Sequence, residues 1–151
     1  MTVAFTLHLL ASTVWVGGMF FAWMALRPVA LQLLDPPQRL ELWMGVFDRF
    51  FPWVWVSILI LPATGFWMIF SVFGGMAAVG IHVHTMLLVG LVMIVIFLWI
   101  WFVPRAGLRR AVDAKDWAAG GKHLGRIRRL IGINLILGMA VVGFAAAGRW
   151  F

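Results

Sequence analysis

The chain contains no cysteine. That excludes disulfides, iron–sulfur clusters, thiolate zinc sites and covalent CxxCH haem attachment. Charge is scarce as well: charged residues make up 11% of the 151 residues, where soluble domains carry about 25%. Acidic side chains are the scarcest, with five Asp+Glu against twelve Lys+Arg. None of the five lies in a long apolar stretch, so no carboxylate is placed to relay protons through a bilayer or to hold a hard cation there. A Walker loop and a GxGxxG following a strand are both missing, which argues against an ATP-driven pump. Neither a 20–50-residue repeat nor a low-complexity tract is visible.

Apolar residues are abundant, at 64% of the chain. A soluble fold of this size could not bury that much surface, so most of it must face lipid. Crossing the hydrocarbon core takes about 20 mainly apolar residues. Four stretches qualify: residues 2–26, 50–73, 76–103 and 130–148. They predict one all-α domain over residues 1–151, an integral membrane four-helix bundle. The first stretch lacks a basic n-region and is too long for a cleaved signal peptide.

Arg27, Arg39 and Arg49 lie between the first two stretches. Arg105, Arg109, Arg110, Lys115, Lys122, Arg126, Arg128 and Arg129 lie between the last two. These eleven cations fall on one side, against Arg149 alone on the other, which holds both termini and the Gly74–Gly75 turn. By the positive-inside rule the expected topology has both termini outside an inner (cytoplasmic) membrane. The cations would then fix topology and bind anionic lipid rather than nucleic acid. Trp53, Trp55, Trp99 and Trp101 fall where an inner aromatic belt is expected.

Asp35-Pro36-Pro37 reads as a helix start, followed by Leu40, Trp43, Met44 and Phe47 at helical spacing. This amphipathic segment either lies on the cytoplasmic surface or leads directly into the second span. A weaker one covers 106–117, ended by Gly120-Gly121, with His123 solvated or facing phospholipid beyond it. Asp48-Arg49 reads as a surface ion pair, and Asn134 as a bond between helices. Gly17, Gly18, Gly132, Gly138, Gly143 and Gly148 read as sites of close helix approach, or of approach to a flat cofactor.

Inside the spans the ionisable groups are His8, His82 and His84. An intramembrane ionisable group is a functional hypothesis by default. Counted from residues 2 and 76 at about 1.5 Å per residue, all three lie about 9–12 Å below the outer boundary. Facing histidines on bundle helices can hold a haem iron axially. His82 and His84 are about 200° apart around a helix, so His8 pairs with one of them: His84 first, His82 as substitute. Ser12, Trp15 and Met19 continue the His8 face; Leu88, Leu91 and Val95 lie below His84. Together they would line an apolar slot for a porphyrin. The plainer reading has the imidazoles bonding to backbone carbonyls or to Ser12 and Thr85. Copper is the other metal to weigh, through imidazole and thioether donors such as Met19 or Met86.

The run His8-Leu9-Leu10-Ala11-Ser12-Thr13-Val14-Trp15-Val16-Gly17-Gly18-Met19-Phe20-Phe21 resembles the first-span signature of the CopD-type copper-resistance membrane domain and of the related HemJ-type proteins of haem biosynthesis. Ile81-His82-Val83-His84-Thr85-Met86-Leu87-Leu88-Val89 is similar to the HemJ His-x-Lys patch, with His84 in place of the lysine. Arg128 to Asn134 is similar to the entry into that family's last span, and Phe47-Asp48-Arg49 through Pro62-Ala63-Thr64-Gly65 to its second. The resemblance implies a helical membrane protein that binds haem b at His8, His82 and His84. The expected role is bis-histidine electron transfer or a haem-dependent oxidoreductase activity, with redox proteins of a respiratory complex or quinone as partners and a homo-oligomer as one arrangement. The alternative is copper uptake or copper resistance of the CopD type. A third reading is a metal-free assembly subunit.

Overall fold

The computed structural model describes residues 2–147. They form an all-helical bundle with no strand among the described residues. Four helical runs are long and apolar enough to cross a membrane: Thr2–Leu33, Pro36–Ser71, Ile81–Asp113 and Trp117–Ala147. Gly148 and Arg149, the end of the fourth expected span and the lone cation beyond it, lie outside the described residues.

Every run continues past its expected boundary at the basic end. The first comprises α1 (Thr2–Phe21), a π-helical turn (Ala22–Leu26) and α2 (Arg27–Leu33). Pro28 accounts for the wide turn. Its ring lacks an N–H and would clash with the carbonyl four residues back. The chain loosens just ahead of it, and the Arg27 amide donates to the Ala22 carbonyl, five residues away. The next break is confined to Leu34 and Asp35. The Asp35 carboxylate accepts from the Gln38 amide at 3.0 Å, with proline in the first turn. From there α3 runs unbroken from Pro36 to Ser71. Leu40, Trp43, Met44 and Phe47 are all buried, so the amphipathic segment leads directly into the second span as the same helix.

α3 closes at two glycines with positive φ, Gly74 (83°) and Gly75 (106°), and the Gly75 amide donates to the Ile69 carbonyl at 2.8 Å. A side chain at either position would strain that backbone. Residues 76–80 then form a turn, and α4 covers Ile81–Phe102, five residues later than expected. α5 (Pro104–Asp113) follows almost directly. Gly120-Gly121 do not end it. The stop is Lys115, whose φ is 55°, and Asp116 caps the next helix by accepting from the Ala119 amide at 3.0 Å. α6 therefore runs from Trp117 to Ala147 with both glycines inside.

α1 packs chiefly on α3, and α6 on α4 and α5. Aromatic rings fill the middle. Phe97 meets Trp15, Phe51 and Trp55 edge-on, at centroid separations of 6.5, 5.3 and 5.6 Å. The aromatic belt is half of what the sequence suggests. Trp53 and Trp99 point outward, 61% and 59% exposed. Trp55 and Trp101 turn inward and meet edge-on at 5.6 Å, because two residues on a helix differ by about 200°. Asp48 pairs with Arg105 and Arg109 of α5 rather than with Arg49, and so ties α3 to α5. Asn134, buried in α6, donates from Nδ2 to the Met93 carbonyl of α4 at 3.1 Å, as the sequence suggests.

Glycine permits this packing at particular points. A Cβ at Gly138 would stand 2.8 Å from Val16 Cγ2 and 3.2 Å from Met93 Cε. Gly18 lies under the Phe50 ring and Gly132 under Trp23, whereas Gly17 and Gly143 face open space. Gly138→Val should therefore overpack the α1–α4–α6 contact and cost about 1–3 kcal/mol. Thermal unfolding of the detergent-purified protein measures this, with Gly143→Ala expected to leave the midpoint unchanged. Equal midpoints for both variants would contradict the packing described.

Candidate functional site

His8, on α1, and His82 and His84, on α4, lie toward the same end of the bundle, because α1 and α4 run in the same direction with α3 between them in the chain. The structure separates their surroundings. His8 continues the inward stripe of α1, whose buried members are Ala11, Trp15 and Met19. It is half-buried, and its Nδ1 lies 2.8 Å from the Thr64 hydroxyl of α3. The Thr64 oxygen is also 2.6 Å from the Ile60 carbonyl. A hydroxyl has one proton to give. Donated to Ile60, it leaves the oxygen to accept from the imidazole, so Nδ1 carries the hydrogen and Nε2 keeps its lone pair. An imidazole oriented through one nitrogen is prepared to coordinate through the other. Gly65 gives the ring room, since a Cβ there would already touch His8 Cε1 at 3.6 Å.

On α4 the two histidines differ in kind. His82 is in line with Met86, Val89, Met93, Phe97 and Ile100, of which the last three are fully buried. His84 is in line with Leu88, Leu91 and Val95, which are 64%, 44% and 65% exposed. The expected slot below His84 is therefore an outward surface, and His82 is the one in register with the buried stripe; both imidazoles are half-buried. The His82 ring lies back against Gly80, with Nδ1 2.9 Å from where a Cβ would be.

Depth changes too. Because α4 begins at Ile81, His82 and His84 occupy its first turn, not a position two turns inside. Val16 and Met93, which both meet Gly138, give one common level. Counted from it at about 1.5 Å per residue, His8 is about 12 Å toward the histidine end, Met86 about 10 Å, His84 about 14 Å and His82 about 16 Å. Counted from the Trp15–Phe97 contact, the α4 residues come out about 7 Å further along. Either way His82 is the outermost of them on the inward stripe; Met86 is the inward donor nearest the level of His8 in the first count, and the level of His8 falls between Met93 and Met86 in the second.

The other expected lining residues have different roles. The Ser12 hydroxyl donates to the Leu9 carbonyl at 2.8 Å and that of Thr85 to the Ile81 carbonyl at 2.9 Å, each within its own helix. Trp15 is a core residue against Phe97, and Met19 is buried several turns below. His123 is not solvated: it is half-buried, its ring lies against Gly107 of α5, and its Nδ1 is buried with no partner. Thr64 is the participant that sequence reasoning missed. Its signal was a lone hydroxyl within an apolar run, two residues after Pro62. Among the described residues no three His, Asp or Glu side chains gather where they could hold a metal. The donors present are imidazole and thioether, which suit a soft ion with few ligands.

The family model for copper resistance protein D (CopD) matches residues 44–148. That is more than half of the chain, which therefore belongs to the CopD family. The matched region takes in most of α3 and all of α4 to α6, and leaves α1 with His8 outside it. It supports the CopD side of the resemblance and not the HemJ side. No curated protein and no solved structure matches the chain.

The bond to Thr64 makes a spectroscopic prediction. In 15N NMR, the His8 imidazole should be the Nδ1–H tautomer with Nε2 unprotonated. Thr64→Val should shift the population toward Nε2–H, and an unchanged His8 spectrum in that variant would show that the hydroxyl does not orient the ring.

Proposed function

We propose that this member of the copper resistance protein D family takes up or tolerates copper by holding copper(I), as cargo, at the histidine end of the bundle. His8 Nε2 and the Met86 thioether are the proposed donors, with His82 about one turn further out as the entry ligand. The observation that carries this reading is the 2.8 Å contact between His8 Nδ1 and the Thr64 hydroxyl, which holds the ring and, with the hydroxyl proton given to Ile60, puts the lone pair on Nε2. The match to the CopD family supports copper as the ion. Donor chemistry supports it independently, since thioether and neutral imidazole favour copper(I) over hard cations, and an imidazole–thioether pair is too few ligands for a structural zinc site.

The haem reading gains no comparable support. Below His84, its first choice of axial ligand, the expected lining residues Leu88, Leu91 and Val95 are exposed, and Trp15, expected to line the slot, is packed against Phe97. Charge asymmetry supports an orientation with the basic end in the cytoplasm and the histidine end outside. Copper would then meet His82 first and Met86 and His8 next.

The test is a titration of detergent-purified protein with copper(I) against a chromophoric copper(I) chelator. Wild type should compete for one ion. His8→Ala and Met86→Leu should each weaken binding by about tenfold or more, while His84→Ala should leave it close to wild type. If His84→Ala were the damaging change, or if the purified protein showed a Soret band that His84→Ala abolished, the haem reading would replace this one.

A further inference from the structure

A second cluster lies at the opposite end, where the π-helical turn, α2, the start of α3 and the start of α6 meet. A cavity of about 50 Å³ opens there, with Arg27, Arg39 and Arg128 in its wall beside Trp23, Trp43 and Phe47. One water needs about 10–15 Å³ on that measure, so there is room for a tetrahedral oxyanion. The three guanidinium groups come from three different helices. Arg128 sits within the repulsive field of Arg27, Arg39 and Arg129. Among the described residues the ion pairs all belong to Asp48, with Arg105 and Arg109, so no carboxylate neutralises the cluster. Arg27 stacks over the Trp23 ring at 4.7 Å, and its Nε is buried without a hydrogen-bond partner. An open groove bearing Lys122, Arg126 and Arg129 adjoins the cavity and shares Trp23 and Arg128 with it.

Arg27 and Arg39 are half-buried and Arg128 is exposed; cations converging beside an apolar wall repel one another, a cost that a bound anion would relieve. A buried donor with no acceptor points the same way. Guanidinium forks match the oxygens of a phosphate in geometry as well as charge. The widened π turn contributes by carrying Trp23 and Arg27 to the cavity, and such turns are frequent at functional sites.

We propose that Arg27, Arg39 and Arg128 form a binding site for a phosphate group, either the headgroup of an anionic phospholipid or free phosphate. The apolar wall and the exposed Leu31 and Leu33 nearby suit a lipid whose acyl chains lie along α2. The site pins the π turn against α3 and α6, and it is independent of copper binding.

The experiment uses the full chain in detergent and measures thermal midpoint and binding, the latter by native mass spectrometry. The probes are a short-chain phosphatidylglycerol, phosphatidylcholine and inorganic phosphate. Phosphatidylglycerol should bind and raise the midpoint of wild type and of Arg110→Gln, which loses an exposed cation outside the cavity. Arg27→Gln and Arg128→Gln should each weaken that binding by about tenfold. Without any anion, Arg128→Gln should melt no lower than wild type, because it removes repulsion. Should that variant fold poorly, Arg39→Gln reports on the same site. An equal response to inorganic phosphate identifies free phosphate as the ligand, and a response to phosphatidylglycerol alone identifies the lipid. Equal binding of phosphatidylcholine, or an equal loss in Arg110→Gln and Arg128→Gln, would overturn the proposal.

Discussion

The rotation of α4 about its own axis is the constraint on which the site depends. Met93, Phe97 and Ile100 are buried, the Met93 carbonyl accepts from Asn134, and Gly138 leaves room for both the Met93 and the Val16 side chains against α6. With those contacts made, the helix has no freedom to turn. Two turns away the same rotation puts His82 and Met86 in register with the buried stripe and His84 in register with exposed Leu88, while His82, His84 and Met86 are all half-buried. Lipid supplies no hydrophobic force between helices, so such close contacts and buried polar bonds set the register.

The bundle has two chemically distinct ends. At one, imidazoles and a thioether stand on largely apolar helices whose spans carry no carboxylate. At the other, helical extensions beyond the spans carry nearly all the charge, joined by Asp48 to Arg105 and Arg109 and leaving Arg27, Arg39 and Arg128 around a cavity. Aromatic rings fill the space between. This separation would let the proposed copper site and the proposed phosphate site coexist in 151 residues without competing for each other's ligands.

Much of this is legible in the chain because it is written in local or summed signals. The four apolar runs, the Asp35 cap, the Gly74–Gly75 turn and the bond from Asn134 arise from hydropathy, capping chemistry and the cost of an unpaired amide in lipid. The facing of α4 does not. That helix is apolar all round, so its periodicity marks no inner face, and His82 and His84 cannot be told apart without the partner helices. Its start is equally hidden, since residues 76–80 are themselves mostly apolar, and only the closure of α3 on its glycines places them in a turn. Thr64 was obscure for a third reason: its role exists only across the α1–α3 contact, 56 residues from His8.

The central claim is that an imidazole and a thioether from two helices share one copper(I) ion. X-ray absorption fine structure of the copper(I)-loaded protein tests it directly. The account predicts a mixed shell of nitrogen and sulfur around copper, with the sulfur lost in Met86→Leu. An all-nitrogen shell in the wild type, or a sulfur contribution that survives that substitution, would contradict it.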